Sequence, residues 1–408
     1  MKLKKIILLL IFFVFVFGNY VYAADINKQV SVPAAILVER NTNRILYEKN
    51  INEKRYPASL TKVMTAIVVL ENCSIYEKTT VSFDAVNSIP AGYSVANLAV
   101  GEELTIEQLL HILLMESASD AANALAEHVA GSVPSFASIM NTKAAELGCK
   151  NTHFVNPDGQ HSEEHYSTIN DLCIIANYAM NNETFKSIVS KNKYVIYPTN
   201  KHDSERLLTN TNYLLNPSSE YYYKNATGIK TGFTTPAGNC LMASATDNNL
   251  DLLVVVLGGF KDENNQSQRY SSTVNLLNYG FENFTYKNLR KKGDCIKVVE
   301  IPNATEETKN LKVLVAKDIS VFMNKENADK EFTYTLNLNE NLFAPIAKNS
   351  VIGNITYEID GITYSSDLVA ASNVDLSENS ILFIIICILI LMIAIFIYTI
   401  SRYSKRKH

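Results

Sequence analysis

The stretch Pro57-Ala58-Ser59-Leu60-Thr61-Lys62-Val63-Met64-Thr65-Ala66 carries the strongest structural signal in the chain. Pro57 suits a helix start, and the apolar residues behind it predict a helix from Ser59 through Leu70. Residues three apart share one face of a helix, so Ser59 and Lys62 point the same way. The pattern therefore predicts a hydroxyl and an amine side by side in the first helical turn.

A buried amine in this position can activate the hydroxyl. Burial of Lys62 against Val63, Met64 and Ile67, together with a second cation nearby, would push its pKa down. A neutral Lys62 can then accept the proton of Ser59, which makes the hydroxyl able to attack a carbonyl carbon. The alternative is a chance match, because this spacing also occurs in helices whose lysine is merely solvated.

A second motif, Ser117-Ala118-Ser119, lies between two predicted helices. Ser117 is the candidate relay that passes a proton to a leaving amine. As an alternative, both serines are ordinary helix caps.

The third motif, Lys230-Thr231-Gly232, is followed by Phe233 and a predicted strand hairpin. Lys230 is the candidate second cation, and with Thr231 it suits the free carboxylate at a peptide C-terminus. The backbone N–H groups of Ser59 and Phe233 are candidates for an oxyanion hole. Taken alone, Lys-Thr-Gly is usually a turn.

Local signals around the motifs predict an α/β (α+β) domain in which helices accompany an antiparallel sheet. Capping patterns predict helices that begin near Thr105, Asp120 and Thr168. Apolar runs separated by short polar turns predict two hairpins, Ala34 to Glu39 with Arg44 to Glu48 and Leu241 to Thr246 with Leu250 to Leu257.

A Lys-rich joint at Lys287 to Lys292 is predicted to separate this domain, residues 24–284, from a small all-β domain, residues 293–375. The second domain is inferred from short alternating runs punctuated by Gly, Asn and Pro. The runs are Lys297 to Glu300, Leu311 to Val315, Phe332 to Leu338 and Val351 to Ile359.

Both ends of the chain predict a relationship with a membrane. Three lysines in Met1 to Lys5, the apolar run Ile6 to Phe17 and the small residues Ala23 and Ala24 predict a signal peptide, residues 1–23, cleaved after Ala23 or Ala24. An uncleaved anchor is the alternative.

The other end predicts a single transmembrane helix, residues 381–400, because Ile381 to Ile400 carries no charge and is long enough to cross a bilayer. A basic tail, residues 401–408, follows it and is predicted to be cytoplasmic. The domains between the two segments are therefore predicted to lie outside the cell membrane. The basic residues of the tail are Arg402, Lys405, Arg406 and Lys407.

Composition narrows the possible partners. The 408 residues carry a net charge of −4 and are 47% hydrophobic, which gives no indication of a nucleic-acid partner. The six cysteines show no metal or disulfide spacing, so buried free thiols are expected.

Several longer segments resemble the low-molecular-mass penicillin-binding proteins of the D,D-carboxypeptidase family. Leu342 to Asn373 resembles the β-rich C-terminal domain of the same family. The other similar segments are Pro57 to Ala66, Ser117 to Ala122, Phe154 to Gly159, His165 to Thr168 and Gly228 to Thr234.

This resemblance implies the serine β-lactamase/transpeptidase-like fold and removal of the terminal D-alanine from peptidoglycan pentapeptides through an acyl-enzyme on Ser59. It also implies acylation by β-lactam antibiotics, with no metal and no cofactor. The implied catalytic residues are Ser59, Lys62 and Ser117, and the implied substrate-binding residues are Ser119, Lys230, Thr231, Gly232 and Phe233.

The chain departs from the family pattern at two places. Ser119 stands where the family usually has an asparagine, and a hydroxyl cannot supply the donor and acceptor of an amide at the same reach. The C-terminal segment is predicted to be a transmembrane helix, whereas family anchors are often amphipathic helices on the membrane surface.

Three other functions remain open on the sequence alone. One is a zinc peptidase, because the sequence pattern of one zinc-peptidase motif is matched by His161-Ser162-Glu163-Glu164-His165. This run follows turn residues, however, and zinc binding at that spacing needs a helix. A class A β-lactamase shares the three motifs but leaves the β domain and the anchor unexplained. A non-catalytic wall-binding scaffold with the same fold is the third possibility.

Overall fold

The computed structural model describes residues 25–404. The predicted signal peptide and residues 405–408 of the predicted tail lie outside the described residues. The chain divides into two compact units, one ending at Glu282 and the other beginning at Asn283.

The first unit is built on an antiparallel sheet of five strands in the order β2-β1-β9-β8-β7. Nearly every residue of β1, β8 and β9 is buried, because helices cover the sheet. Strand β7 is the last strand in this order. It therefore lies at one edge of the sheet, and one side of its backbone is not paired within the sheet. The five strands are β1 (Ala34–Glu39), β2 (Arg44–Lys49), β7 (Ala226–Thr234), β8 (Gly238–Asp247) and β9 (Leu250–Gly259).

Helices supply most of the remaining core of this unit. Two short ribbons, β3 (Lys78–Thr80) with β4 (Glu103–Thr105) and β5 (Lys193–Ile196) with β6 (Arg206–Thr209), complete it. The helices are α1 (Ile26–Gln29), α2 (Thr61–Asn72), α3 (Phe83–Asn87), α4 (Ile106–His111), α5 (Ser119–Ala130), α6 (Val133–Glu146), α7 (Ile169–Ala179), α8 (Glu183–Val189) and α9 (Gln268–Asn283).

The local predictions for this unit are largely confirmed. Both hairpins form, and Thr105 and Gln108 make the reciprocal capping box at the start of α4. One boundary was wrong: Ser59 lies in a 3-10 turn, Ala58–Leu60, and the α-helix begins at Thr61. The turn is tighter because the Leu60 N–H donates to the Pro57 carbonyl at 3.2 Å.

The second unit is an all-β structure followed by a terminal helix. Its larger sheet has the order β11-β12-β16-β15-β14, and β10 pairs with β13 in a two-stranded ribbon. Its core is aliphatic, with Tyr357 fully buried in it. The strands are β10 (Phe284–Arg290), β11 (Cys295–Glu300), β12 (Asn310–Val315), β13 (Ile319–Asn324), β14 (Thr335–Leu338), β15 (Val351–Ile359) and β16 (Ile362–Ala370).

The prediction of a Lys-rich joint at Lys287 to Lys292 is wrong. Most of that segment belongs to β10, whose residues Tyr286 and Lys287 pair with Phe322 and Val321 of β13. Lys287 and Arg290 are both partly buried in this strand rather than fully solvated as in a linker.

The terminal helix α10 spans Glu378–Ser404. Among the described residues it is the one helix long and apolar enough to cross a membrane, with 23 residues from Glu378 to Ile400 at a mean hydropathy of 3.5. None of that stretch is buried in the protein, so its apolar side chains are suited to a membrane anchor.

Candidate active site

Ser59 and Lys62 lie together at the start of α2. The Lys62 ammonium donates a hydrogen bond to Ser59 Oγ at 3.1 Å and another to the Asp158 carbonyl at 2.6 Å. The second contact fixes the lysine, so its nitrogen stays within reach of the serine hydroxyl.

Burial makes Lys62 a suitable proton acceptor. Its side chain is 1% exposed, and this desolvation lowers the pKa of Lys62 to about 8, against the opposing effect of the Asp158 and Asp120 carboxylates. The predicted lowering of the Lys62 pKa therefore results from burial. The second predicted cause, repulsion between the two lysines, instead lowers the pKa of Lys230.

The turn that contains Asp158 supports the nucleophile and had no role assigned from sequence. The Pro157 carbonyl accepts from Thr65 Oγ1 at 2.5 Å, which ties the turn to α2. Gly159 has φ +83°, and a Cβ there would lie 1.9 Å from the Ala58 carbonyl oxygen. Only glycine permits this approach, so the turn can pack directly beneath the Ser59 backbone.

Ser117 and Ser119 reach the same cleft from the start of α5. Ser117 follows a π-helical turn, Ile112–Glu116, and takes a left-handed conformation with φ 66°. The Ser119 hydroxyl is buried without a hydrogen-bond partner, whereas its backbone N–H donates to the Ser94 carbonyl at 2.8 Å. An unpaired buried hydroxyl facing a cleft is free to bind a ligand.

Asp120 anchors the loop that forms one wall of the cleft. Its carboxylate accepts hydrogen bonds from the backbone N–H groups of Ala96 and Leu98, at 3.0 to 3.1 Å. The loop bearing Tyr93 and Ser94 is thereby held against the start of α5.

The edge strand β7 brings the third motif to Ser59. A Cβ on Gly232 would lie 3.2 Å from the Ser59 backbone nitrogen, so the two backbones run close together. Thr231 Oγ1 pairs with Thr211 Oγ1 at 2.7 Å, and Phe233 is 58% exposed at the rim.

Lys230 of this strand is buried and does not line the cleft. Its ammonium donates to the Thr231 carbonyl at 2.9 Å, and burial, followed by repulsion from Lys62 and Arg269, holds its pKa well below the usual value. The cation that lines the cleft is Arg269, which donates to the Gly232 carbonyl at 3.4 Å. Sequence reasoning missed Arg269, which is 37 residues from Gly232.

The three motifs meet around a single cleft of about 800 Å³. Lys62 is buried and does not itself line the cleft, but its ammonium contacts Ser59, which does. The predicted residues that line it are Ser59, Ser117, Ser119, Thr231, Gly232 and Phe233, and unpredicted ones include Tyr93, Thr211, Tyr213 and Arg269.

The zinc-peptidase alternative lacks its geometry. Residues 161–165 form a turn, so His161 and His165 do not share a helix face. His165 Nδ1 accepts from the Val155 N–H at 3.2 Å, and its Nε2 pairs with Thr61 Oγ1 at 2.8 Å. Burial lowers the pKa of His165 to about 4, and both ring nitrogens already have hydrogen-bond partners within the protein.

A serine hydroxyl paired with a buried lysine, beside an edge strand and an interhelical serine motif, defines the class of serine acyl-transfer enzymes with the penicillin-binding fold. Residues 21–261 match the family model described as D-alanyl-D-alanine carboxypeptidase, and residues 284–376 match that of the penicillin-binding protein 5 C-terminal domain. The chain belongs to the D-alanyl-D-alanine carboxypeptidase family.

Relatives and solved structures agree with this membership. The chain is 31% identical to D-alanyl-D-alanine carboxypeptidase DacF of Bacillus subtilis, over 83% of this chain and 84% of that protein. It is also 31% identical to DacA of Escherichia coli, over 85% and 86%. Penicillin-binding protein 5 from Haemophilus influenzae superposes with a TM-score of 0.61 at 29% identity, over 85% of this chain and 98% of that one. The predicted fold class is confirmed.

Proposed function

We propose that this chain is a membrane-anchored serine D-alanyl-D-alanine carboxypeptidase that removes the terminal D-alanine from peptidoglycan pentapeptides. The observation that carries the proposal is the 3.1 Å contact between the buried Lys62 ammonium and Oγ of Ser59, a residue that lines the cleft. Family membership supplies the substrate class.

The acylation step follows from the positions of these groups. Ser59 Oγ attacks the carbonyl carbon between the two D-alanines while its proton moves to neutral Lys62. The backbone N–H groups of Ser59 and Phe233 stabilise the oxyanion. The C–N bond then breaks, the proton passes through Ser117 to the leaving amine, and D-alanine departs. Water hydrolyses the ester and restores Ser59.

Arg269 and Thr231 are suited to bind the carboxylate of the terminal D-alanine. Arg269 lines the cleft beside the strand, and a guanidinium is a strong partner for a carboxylate. Lys230, the neighbour of Thr231 in the same strand, is a second candidate partner for this carboxylate.

The same site suits β-lactams, whose strained amide and carboxylate resemble the two substrate groups. All residues of the cleft belong to the first unit, so we assign the reaction to that unit. We further propose export by the N-terminal segment and a single span by α10, with the basic tail in the cytoplasm and the enzyme outside.

Mass spectrometry of the purified chain tests this function. Incubation with benzylpenicillin should give one stable adduct on Ser59, and a pentapeptide ending in D-Ala-D-Ala should release free D-alanine. Rapid loss of the penicillin adduct would instead indicate a β-lactamase, and the absence of both adduct and D-alanine release would indicate a non-catalytic scaffold.

Ser119→Asn is expected to raise kcat/KM for the pentapeptide by about tenfold. This factor corresponds to the free energy of one additional hydrogen bond in the transition state. The longer amide supplies both a donor and an acceptor at a position whose hydroxyl has no partner. The rate of acylation by penicillin should change much less, since Ser59 and Lys62 are untouched. A large loss of peptide turnover would show that the site is built around the smaller serine.

A further inference from the structure

Cys73, Glu77 and His128 form a cluster at the far end of α2. Among the residues that the structure describes, these three offer one thiol, one carboxylate and one imidazole whose ligand atoms all lie within 4.8 Å of one another. None of them lines the catalytic cleft. Cys73 lies eleven positions after Lys62 along the helix, a rise of roughly 16 Å.

The protein backbone fixes two of the three positions. Cys73 caps α2, and its N–H donates to the Val69 carbonyl at 2.9 Å. Glu77 ends a turn in which Oε1 accepts from the Ser74 N–H at 2.7 Å, so one carboxylate oxygen is fixed. The other oxygen, Oε2, points at His128 Nε2, 3.2 Å away.

His128 comes from the last turn of α5 and is partly exposed, with 21% of its side chain accessible. Ligand atoms around a tetrahedral zinc ion lie roughly 3.5 Å apart, given bond lengths of about 2.0 to 2.3 Å. The carboxylate and imidazole already have about this separation, and the thiol sulfur lies within 4.8 Å of both.

We propose that Cys73, Glu77 and His128 bind one Zn²⁺ ion, with water at the fourth position. A thiolate, an imidazole and a carboxylate form a ligand set that favours zinc over magnesium or calcium, which prefer oxygen ligands alone. The ion replaces the thiol proton of Cys73, which is released to solvent, and it replaces the hydrogen bond between Glu77 and His128.

Such an ion would join the C-terminal ends of α2 and α5. Both helices begin at the cleft, α2 just after Ser59 and α5 at Ser119. A ligand that binds only the folded state raises its stability. Zinc at this site is therefore expected to raise the midpoint temperature of unfolding by several degrees without entering the reaction.

Cobalt substitution of the purified full chain, reduced and free of chelators, tests the site. One equivalent of Co²⁺ should produce a thiolate-to-cobalt charge-transfer band that Zn²⁺ removes by competition. Cys73→Ser should abolish the band, and His128→Gln should weaken Co²⁺ binding at least tenfold. Cys295→Ser, at an exposed cysteine in the other unit, is the matched control. It should keep both the charge-transfer band and the wild-type Co²⁺ affinity.

Absence of the band in the wild-type chain, or its persistence in Cys73→Ser, would overturn the proposal. Should Cys73→Ser fail to fold, His128→Gln and Glu77→Gln decide the question, because both side chains are partly exposed. Unchanged Co²⁺ affinity in both would also overturn it. Acylation by penicillin should remain normal in every variant, so the zinc site and the proposed catalytic function can fail independently.

Discussion

Ser59→Ala is expected to abolish covalent labelling by penicillin and release of D-alanine from the pentapeptide. Alanine has no oxygen with which to form the acyl ester, and no other cleft hydroxyl receives a hydrogen bond from the Lys62 ammonium in the described chain. The fold should persist, since the hydroxyl contributes one partly exposed hydrogen bond. Intact-mass measurement after incubation with benzylpenicillin checks the result.

Ser94→Ala is the matched control for this loss. Ser94 is an exposed serine in the same cleft, and its structural contact to the Ser119 N–H uses the backbone carbonyl, which the substitution keeps. Ser94→Ala should therefore label at a rate close to that of the wild type. A penicillin adduct of the expected mass on Ser59→Ala would identify a different nucleophile and contradict the proposed mechanism.

The elements that sequence predicted well are those specified by neighbouring residues. The capping box of Thr105 and Gln108 and the hairpin turns require only a few consecutive positions, and the structure reproduces them. The pairing of Ser59 with Lys62 likewise follows from helical geometry. Local signals misjudged Lys287 to Lys292, because its run of lysines and arginine resembled a linker until the pairing of β10 with β13 was visible.

Contacts between distant parts of the chain had no local signal. The Asp158 carbonyl that fixes Lys62 comes from 96 residues further along, and nothing in the motif near Lys62 indicates it. Gly159 was visible as a turn residue, yet its need to be glycine arises from the Ala58 carbonyl packed against it. Arg269 belongs to a helix start with no motif, so its approach to Gly232 required the folded sheet.

Lys62→Met is expected to slow acylation by penicillin by about 10² to 10⁴-fold, the usual contribution of a positioned general base. Methionine fills a similar volume in the buried site but cannot accept the proton of Ser59. The adduct should still form at long times, because the nucleophile and the strand beside it remain. Stopped-flow measurement of the acylation rate, with thermal unfolding as a check on folding, tests the effect.

The pH dependence separates a lost base from a disturbed site. Below its pKa of about 8, Lys62 is an ammonium and cannot accept a proton, so the wild-type rate should fall about tenfold per pH unit below that value and level off above it. Lys62→Met should lose this rise, whereas Lys224→Met, at an exposed lysine ahead of β7, should keep it. A wild-type acylation rate in Lys62→Met, or an unchanged rise through pH 8, would assign the proton transfer to another group. Since burial sets this pKa, the nucleophile's reactivity is a property of the packed interior around α2 rather than of the motif alone.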